Sequence, residues 1–182
     1  MARENLMNRY IAFLRGVNIS GKNRIGMPEL KKELESAGFQ AVMTYLNSGN
    51  IVFSSDDRDA GKEIARIIKN RFALDIPVYV MALEVLQDVL RHAPPWWNTG
   101  DKGWYDNLIF ILSEDSPEDI CRLLGEPSEG LERTEIYRDV IFWTFDRKKY
   151  QKCSWWKKTA SSGIAEKLTI RTAGTVIKLT EN

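Results

Sequence analysis

Two short polar clusters in the first third of the chain contain the residue types that bind anions. The first cluster is Arg15, Gly16, Asn18, Gly21, Lys22, Asn23 and Arg24, and the second is Asn47, Ser48, Gly49 and Asn50. The residues predicted to bind the ligand are Arg15, Gly16, Asn18, Gly21, Lys22, Ser48, Gly49 and Asn50. An arginine offers a planar, bidentate donor to phosphate or carboxylate. A glycine-containing loop that enters a helix adds backbone N–H groups, with the positive end of the helix dipole behind them. The two clusters therefore predict a site for a small phosphate- or carboxylate-bearing ligand.

The local charge supports the same prediction. No carboxylate occurs between Glu4 and Glu29, whereas this stretch contains four cations, Arg9, Arg15, Lys22 and Arg24. Such a distribution gives this end of the chain a positive local field. The glycine spacing matches neither G-x-G-x-x-G nor the Walker pattern, and Pro28 removes one donor at the helix start. Anion binding is therefore predicted without a nucleotide fingerprint.

The same residues also have a purely structural interpretation. Gly16 and Gly21 suit backbone with positive φ, and Asn50 suits the cap of a tight turn. The sequence leaves ligand binding and turn formation open as alternatives for both clusters.

Hydrophobic periodicity defines the elements that position these clusters. It predicts a buried strand over 10–14, a helix that starts at Pro28 and stops at Gly38, and a hairpin of strands 42–46 and 51–53. A second helix follows, capped by Asp56 or Asp57, then a strand over 76–81 and a helix over 83–91. The order of elements brings the loop after the first strand close to the hairpin.

The second half of the chain repeats this order. Its elements are predicted as a strand over 108–112, a helix over 117–124, hairpin strands over 132–137 and 140–145, a helix over 161–168, a strand over 169–172 and a helix over 175–179. Two βαββαβ units predict an α+β fold of two ferredoxin-like pseudo-repeats packed together. The predicted boundaries are 1–92 for the half with the signature loop, 93–106 for a Pro/Trp-rich connection and 107–182 for the second half.

Two further segments contain unusual residues. The connection includes Pro94, Trp96, Trp97 and Trp104, which predicts either packing onto the fold or a wall over a ligand site. His92 beside it is interpreted as structural. The basic aromatic segment, residues 147–165, has six cations and no acid, interleaved with Tyr150, Trp155 and Trp156. That pattern is typical of single-stranded nucleic-acid binding, but we favour a solvated face whose tryptophans turn inward.

Several motifs carry a family resemblance. The run LRGVN-x-x-GKN-x-I-x-M, the later TYLNSGNIVF, the PPWW at 94–97 and TIR-x-x-x-T at 169–175 resemble the bacterial domain of unknown function 1697 family. The resemblance covers nearly the whole chain, and it supports as site candidates Arg15, Gly16, Asn18, Gly21, Ser48, Gly49 and Asn50, which stand at motif positions. Asn47 departs from the glutamine expected there. The resemblance implies no activity, cofactor or catalytic residue.

Composition limits the kinds of site and the cellular location that we expect. The chain has 182 residues, a formal net charge of +1 and two cysteines, so neither a disulfide framework nor a metal site is expected. The sequence leaves the identity of any cofactor unknown. No signal peptide or membrane span is visible. We therefore expect a cytoplasmic monomer or homodimer with no membrane partner.

Three functions remain open at this point. The first is binding of a small anionic ligand. The second is hydrolysis of phosphate esters or acyl phosphates, by analogy with acylphosphatases, in which Arg15 would hold the phosphate and Asn50 would orient water. The third, which we disfavour, is binding of single-stranded nucleic acid by the basic aromatic segment. Whether the protein is an enzyme stays undecided.

Overall fold

The computed structural model describes residues 7–57 and 59–181. In these residues, eight strands form two four-stranded antiparallel sheets, each accompanied by helices, so the fold is a mixed α+β architecture with two repeated units. The chain divides into two compact units, the first ending at Leu86 and the second beginning at Gln87. No helix within the described ranges has the length and hydropathy of a membrane span.

The first unit contains the loop and the hairpin that carry the two predicted clusters. Its elements are β1 (Asn8–Leu14), α1 (Met27–Ser36), β2 (Gln40–Tyr45), β3 (Asn50–Ser55), α2 (Ala60–Phe72) and β4 (Val78–Ala82), followed by α3 (Leu83–Arg91), which extends into the second unit. The sheet order is β2-β3-β1-β4. Because β1 pairs with β3 up to Phe13 opposite Asn50, the loop that leaves β1 starts beside the hairpin turn.

One face of this sheet forms a core with the helices α1 and α2. Leu30 and Leu34 of α1 and Ile64 and Ile68 of α2 are fully buried in it. Their spacing of four residues places each pair on one side of its helix, as the periodicity predicted. The prediction that Asp56 or Asp57 caps α2 is wrong, because the N-cap residue is Asp59. The Asp57 carboxylate instead accepts the Asp59 N–H at 2.8 Å.

The second unit repeats the strand order of the first. Its elements are β5 (Trp104–Ile111), α4 (Pro117–Leu124), β6 (Glu132–Tyr137), β7 (Val140–Asp146), α5 (Ser154–Thr159), β8 (Leu168–Thr172) and α6 (Ala173–Thr180). The sheet order is β6-β7-β5-β8. The strand β5 begins at Trp104, four residues before the predicted start and within the predicted connection.

The helix predicted over 161–168 is wrong. The helix of this region, α5, lies earlier at Ser154–Thr159, and only Ala165–Lys167 forms a short 3₁₀ turn. Trp155 explains the shift, because its side chain is 1% exposed and its indole N–H donates to the Gly125 carbonyl at 2.7 Å. Gly163, with φ of +85°, breaks the predicted helix in its middle.

Candidate functional site

The loop after β1 is held in shape by asparagine side chains. Asn18 donates from Nδ2 to the carbonyls of Ile25, at 3.0 Å, and Asn47, at 2.7 Å, while its Oδ1 accepts the Ile25 N–H at 2.9 Å. Asn23 donates to the Gly16 carbonyl at 2.9 Å. Asn18 therefore ties the loop to the hairpin turn, and the two predicted clusters are brought together.

The close approach of the hairpin turn to β1 depends on Gly49. Its φ is +82°, and a Cβ built on it would lie 2.6 Å from Leu14 Cβ and 2.7 Å from Val17 Cγ2. Its carbonyl accepts the Leu14 N–H at 2.8 Å. No side chain fits at this position without movement of the β1 end, so Gly49 serves packing rather than chemistry.

Asn50 and Ser48 form a local turn network. Asn50 is fully buried, and its amide donates to the Tyr45 carbonyl at 2.9 Å and to Ser48 Oγ at 3.0 Å. Both amide protons are therefore engaged within the hairpin. This arrangement agrees with the structural interpretation of Asn50 and leaves it no N–H with which to orient a water molecule.

A groove of about 430 Å³ opens where the loop enters α1. It is lined by Asn18, Gly21, Arg24, Ile25, Gly26, Met27, Pro28 and Asn47. Of the residues predicted to bind ligand, Asn18 and Gly21 belong to this lining. Arg24 belongs to the first cluster but not to the predicted ligand residues, and it supplies the cation of the groove lining.

The other predicted ligand residues lie around the groove rather than in its lining. Arg15 donates its backbone N–H to the Pro77 carbonyl at 3.0 Å, and Lys22 donates its own to Ile19 at 2.9 Å. Gly16, with φ of +70°, supplies the turn between β1 and the loop. Sequence reasoning ranked Arg15 above Arg24 because it interpreted Arg24 as a solvated surface residue. The helix start, which Pro28 marks, was the signal that could have favoured Arg24.

The N-terminus of α1 faces this groove without a side-chain cap. Its N-cap residue is Gly26, and no side-chain hydrogen bond caps it within the described residues. A Cβ at Gly26 would lie 3.6 Å from Glu29 Oε2, so a carboxylate stands beside the helix start. The other oxygen of Glu29 forms an ion pair with Arg71, which offsets its charge. The first turn thus keeps donors that no side chain satisfies.

The basic aromatic segment turns one of its two tryptophans inward. Trp155 is buried, and Trp156 is 38% exposed with its ring 4.7 Å from Tyr150 in an edge-on contact. Lys158 donates to the Leu124 carbonyl at 2.7 Å, at the end of α4. The segment therefore offers few open stacking surfaces for bases.

A buried carboxylate fixes the start of α5. Glu132 is 5% exposed, and its Oε2 accepts the Ser128 N–H at 2.9 Å and the Trp155 N–H at 3.3 Å. Its Oε1 accepts the Trp156 N–H and the Trp143 indole N–H, each at 3.3 Å. Sequence reasoning missed this residue, because an alternating strand pattern does not show which carboxylate turns inward.

The Pro/Trp-rich connection contributes to packing in the second unit. Trp97 is 6% exposed, donates its indole N–H to the Asn107 carbonyl at 2.9 Å and meets the Phe142 ring edge-on at 5.1 Å. His92 stacks on Tyr137 at 4.6 Å, in agreement with its structural interpretation.

Arg171 and the two cysteines are the remaining groups with notable chemistry. Burial lowers the pKa of the Arg171 guanidinium to about 10, and this side chain donates to Thr169 Oγ1 at 2.9 Å. Burial raises the pKa of both unpaired thiols, Cys121 and Cys153. In residues 7–57 and 59–181, no group of three or more His, Cys, Asp or Glu side chains is placed to hold a metal ion.

Comparison with known proteins identifies a similar solved structure and the family of the chain. The solved structure of the conserved bacterial protein SP0830 from Streptococcus pneumoniae is similar, with a TM-score of 0.79 and 28% identity over 96% of this chain and 98% of that chain. No curated protein matches. A family model matches residues 7–142, and the chain belongs to the family described as protein of unknown function (DUF1697).

Proposed function

We propose that the protein binds a small anionic molecule, bearing phosphate or carboxylate, in the groove between the loop after β1 and the β2–β3 hairpin. The observation that carries the proposal is the uncapped N-terminus of α1, which opens into a groove that also contains Arg24. Helix N-termini attract anions through free N–H groups and the helix dipole. Arg24 adds a charge-assisted donor.

The equivalent helix of the second unit provides a comparison. Both α1 and α4 follow the first strand of their unit, but α4 begins with a complete capping box in which Ser116 and Asp119 satisfy each other's backbone N–H groups. Its first turn is therefore closed by its own side chains. The absence of a side-chain cap distinguishes α1 from α4 and supports a ligand site in the first unit.

Each predicted ligand residue has a place in this proposal. Asn18 and the backbone near Gly21 line the groove, and Arg15 and Lys22 add to the positive field around it. Gly16, Ser48, Gly49 and Asn50 hold the loop and hairpin in position. Two unpaired cysteines support a reducing, cytoplasmic setting for this binding, with the chain as a monomer or homodimer.

We also assign both units to the ferredoxin-like class. The assignment rests on the βαββαβ order of elements and on the sheet orders β2-β3-β1-β4 and β6-β7-β5-β8. This topology places the loop after the first strand beside the hairpin, where the proposed ligand lies.

The proposal does not extend to hydrolysis or to nucleic acid. Hydrolysis by analogy with acylphosphatases needs an available Asn50 amide, and both of its protons are engaged in the hairpin. Nucleic-acid binding needs open aromatic faces, and Trp155 of the basic aromatic segment is buried.

A thermal-shift titration tests the proposed binding. Inorganic phosphate, adenosine monophosphate and citrate are titrated against the wild type at constant ionic strength, with chloride as the reference anion. A compound at 100 times its dissociation constant stabilises the fold by about 2.7 kcal/mol, which corresponds to a shift of several degrees. We expect such a shift from at least one of the three compounds and its loss in Arg24→Gln.

The matched control is Lys62→Gln, which removes one positive charge from a side chain that is 85% exposed on α2. This variant should keep the wild-type shift. An equal loss in both variants would show a general charge effect and reject the site. The absence of any shift with all three compounds would also reject it.

A further inference from the structure

We propose that one face of the second unit binds the same face of a second copy of this chain, so that the protein forms a two-fold symmetric dimer. The face combines the end of α4, the acidic loop that follows it at residues 126–129, and the part of the basic aromatic segment that contains α5. A second copy is the partner because the acidic half of this face complements its basic half. All of these residues belong to the second unit, so the interface is separate from the groove at α1.

The second unit exposes many charges that are not neutralised within the fold. Five exposed glutamates lie in the acidic stretch, residues 114–135, and four exposed lysines lie in the basic aromatic segment. They are Glu114, Glu118, Glu126, Glu129, Glu135, Lys148, Lys149, Lys152 and Lys157. The ion pairs of this unit, within the described residues, all join other side chains. These nine charges are therefore available to a partner.

The acidic and basic halves of the face lie side by side in each copy. Ser154 Oγ donates to the Glu126 carbonyl at 2.9 Å, and Ser128 Oγ donates to the Lys152 carbonyl at 3.3 Å. The Ser154 N–H also donates to Ser128 Oγ at 2.9 Å, so the acidic loop is fixed against the start of α5. A two-fold rotation about the boundary between the halves places each half on the opposite half of the other copy. The face is therefore complementary to itself.

Each half of the face also exposes one large apolar side chain. Leu123 is 46% exposed at the end of α4, and Trp156 is 38% exposed on α5. In the part of the second unit that the structure describes, no other large apolar side chain is exposed. The Trp155 indole and the Lys158 ammonium, which donate to carbonyls at the end of α4, hold these two helices together. An exposed tryptophan within a charged rim is typical of a protein interface.

The surroundings of the lysines favour a second copy over a nucleic acid. Single-stranded nucleic acid needs several open aromatic faces along a positive groove. Trp155 is buried, and the Trp156 ring meets Tyr150 edge-on. The acidic loop lies against the same segment, where Glu126 and Glu129 repel phosphate. The formal net charge of +1 leaves little overall repulsion between two copies.

Sedimentation velocity at increasing protein concentration tests the dimer. A standard interface buries about 800 Å² of each partner, and two short helices with one loop form a small face. We therefore expect a weak dimer that forms as the protein concentration rises and dissociates as salt screens the charges. Trp156→Ala should weaken the self-association at least tenfold, because it removes the apolar contact from both copies.

Reversal of charge identifies the two halves. The double variants Lys149→Glu with Lys152→Glu, and Glu126→Lys with Glu129→Lys, should each be monomeric, because each places like charges opposite each other. An equal mixture of the two variants should form a one-to-one dimer, since the reversed charges then face opposite charges. The matched control, Lys32→Glu with Lys62→Glu, reverses two exposed lysines on α1 and α2 and should dimerise like the wild type.

Three results would overturn the proposal. The first is a wild type that stays monomeric at low salt and about 0.5 mM protein. The second is a failure of the two charge-reversed variants to associate when thermal melts show that both are folded. The third is a monomeric wild type whose basic aromatic segment binds a single-stranded oligonucleotide, because the lysines then serve a nucleic acid. Arg24→Gln should dimerise like the wild type, so the result is independent of the groove at α1.

Discussion

At the scale of single residues, the first-unit site depends on how closely two backbone segments approach each other. The Gly49 turn lies against Leu14 and Val17, and Asn18 bridges the loop and the hairpin through the Asn47 carbonyl. Asn18 also bonds the N–H and the carbonyl of Ile25, so the same side chain fixes the segment that leads into α1. Shape at this site is therefore set partly by residues outside the lining of the groove, namely Gly49, Leu14 and Val17.

Gly49→Ala should destabilise the protein strongly. The added Cβ meets Leu14 and Val17 at under 3 Å, and φ of +82° is unfavourable for alanine. We expect a loss of about 2–4 kcal/mol in the free energy of unfolding, measured by urea denaturation. The control is Gly38→Ala, at φ of +98° with no described atom within 4 Å of the new Cβ, which should lose only about 1 kcal/mol. Equal losses in the two variants would contradict the packing argument.

At the scale of elements, α4 shows how a helix start depends on its own side chains. Ser116 Oγ accepts the Asp119 N–H at 3.1 Å, and the Asp119 carboxylate accepts the Ser116 N–H at 3.1 Å. The hydrogen bond from the Ser116 hydroxyl, followed by that from its backbone, lowers the pKa of Asp119. The helix is therefore stabilised by the ionised form of this carboxylate.

Asp119→Asn should change the pH dependence of stability. Because the pKa of Asp119 is lower in the folded state, its contribution is present above the unfolded value of about 3.9 and is lost as the pH falls through the folded value. The variant should melt below the wild type at pH 7, and the difference should shrink from pH 5 to pH 2 in thermal melts. Glu118→Gln, which removes a charge from the same turn outside the capping box, should show a smaller difference at pH 7. A constant gap between wild type and Asp119→Asn at all pH values would contradict this assignment.

Elements with strong periodicity could be predicted from the sequence, and those set by tertiary contacts could not. The bounds of α3 and α4 were predicted without error, because the apolar spacing, Pro117 and Ser116 are local signals. The helix α5 was misplaced because the buried Trp155 and the inward Glu132 act across the fold. For the candidate groove, the sequence indicated the loop that contributes to its lining but did not indicate which cation lines it, since the lining depends on where α1 begins.

At the scale of the whole molecule, the two units share a strand order but differ in where their surface cavities lie. The groove of the first unit lies at the end of β1, and a cavity of about 340 Å³ in the second unit lies at the start of β5. β1 and β5 hold the same place in their sheets, yet the first unit has its groove at the end of this strand and the second has its cavity at the start. Function in this architecture follows the loops rather than the sheet.

Thiol labelling should distinguish a cysteine that is accessible in the folded protein from one that becomes accessible only on unfolding. Cys153 is fully buried and Cys121 is half-buried, and desolvation raises the pKa of both thiols, so little thiolate is present at pH 7. We expect Cys121→Ser to react with an aromatic disulfide reagent only as fast as the fold opens. The Cys153→Ser protein should react faster than the Cys121→Ser protein, because its remaining thiol, Cys121, is only half-buried. Rapid labelling of the Cys121→Ser protein without denaturant would contradict the burial of Cys153.

The buried carboxylate of Glu132 has a consequence for the order of folding. The helix α5 has only six residues, and a helix so short has no stability of its own in water. The Trp155 and Trp156 N–H groups at its start bond to a side chain that lies on β6. That side chain reaches its position only when the β6–β7 hairpin has formed, so we expect α5 to form late, as an addition to a finished sheet.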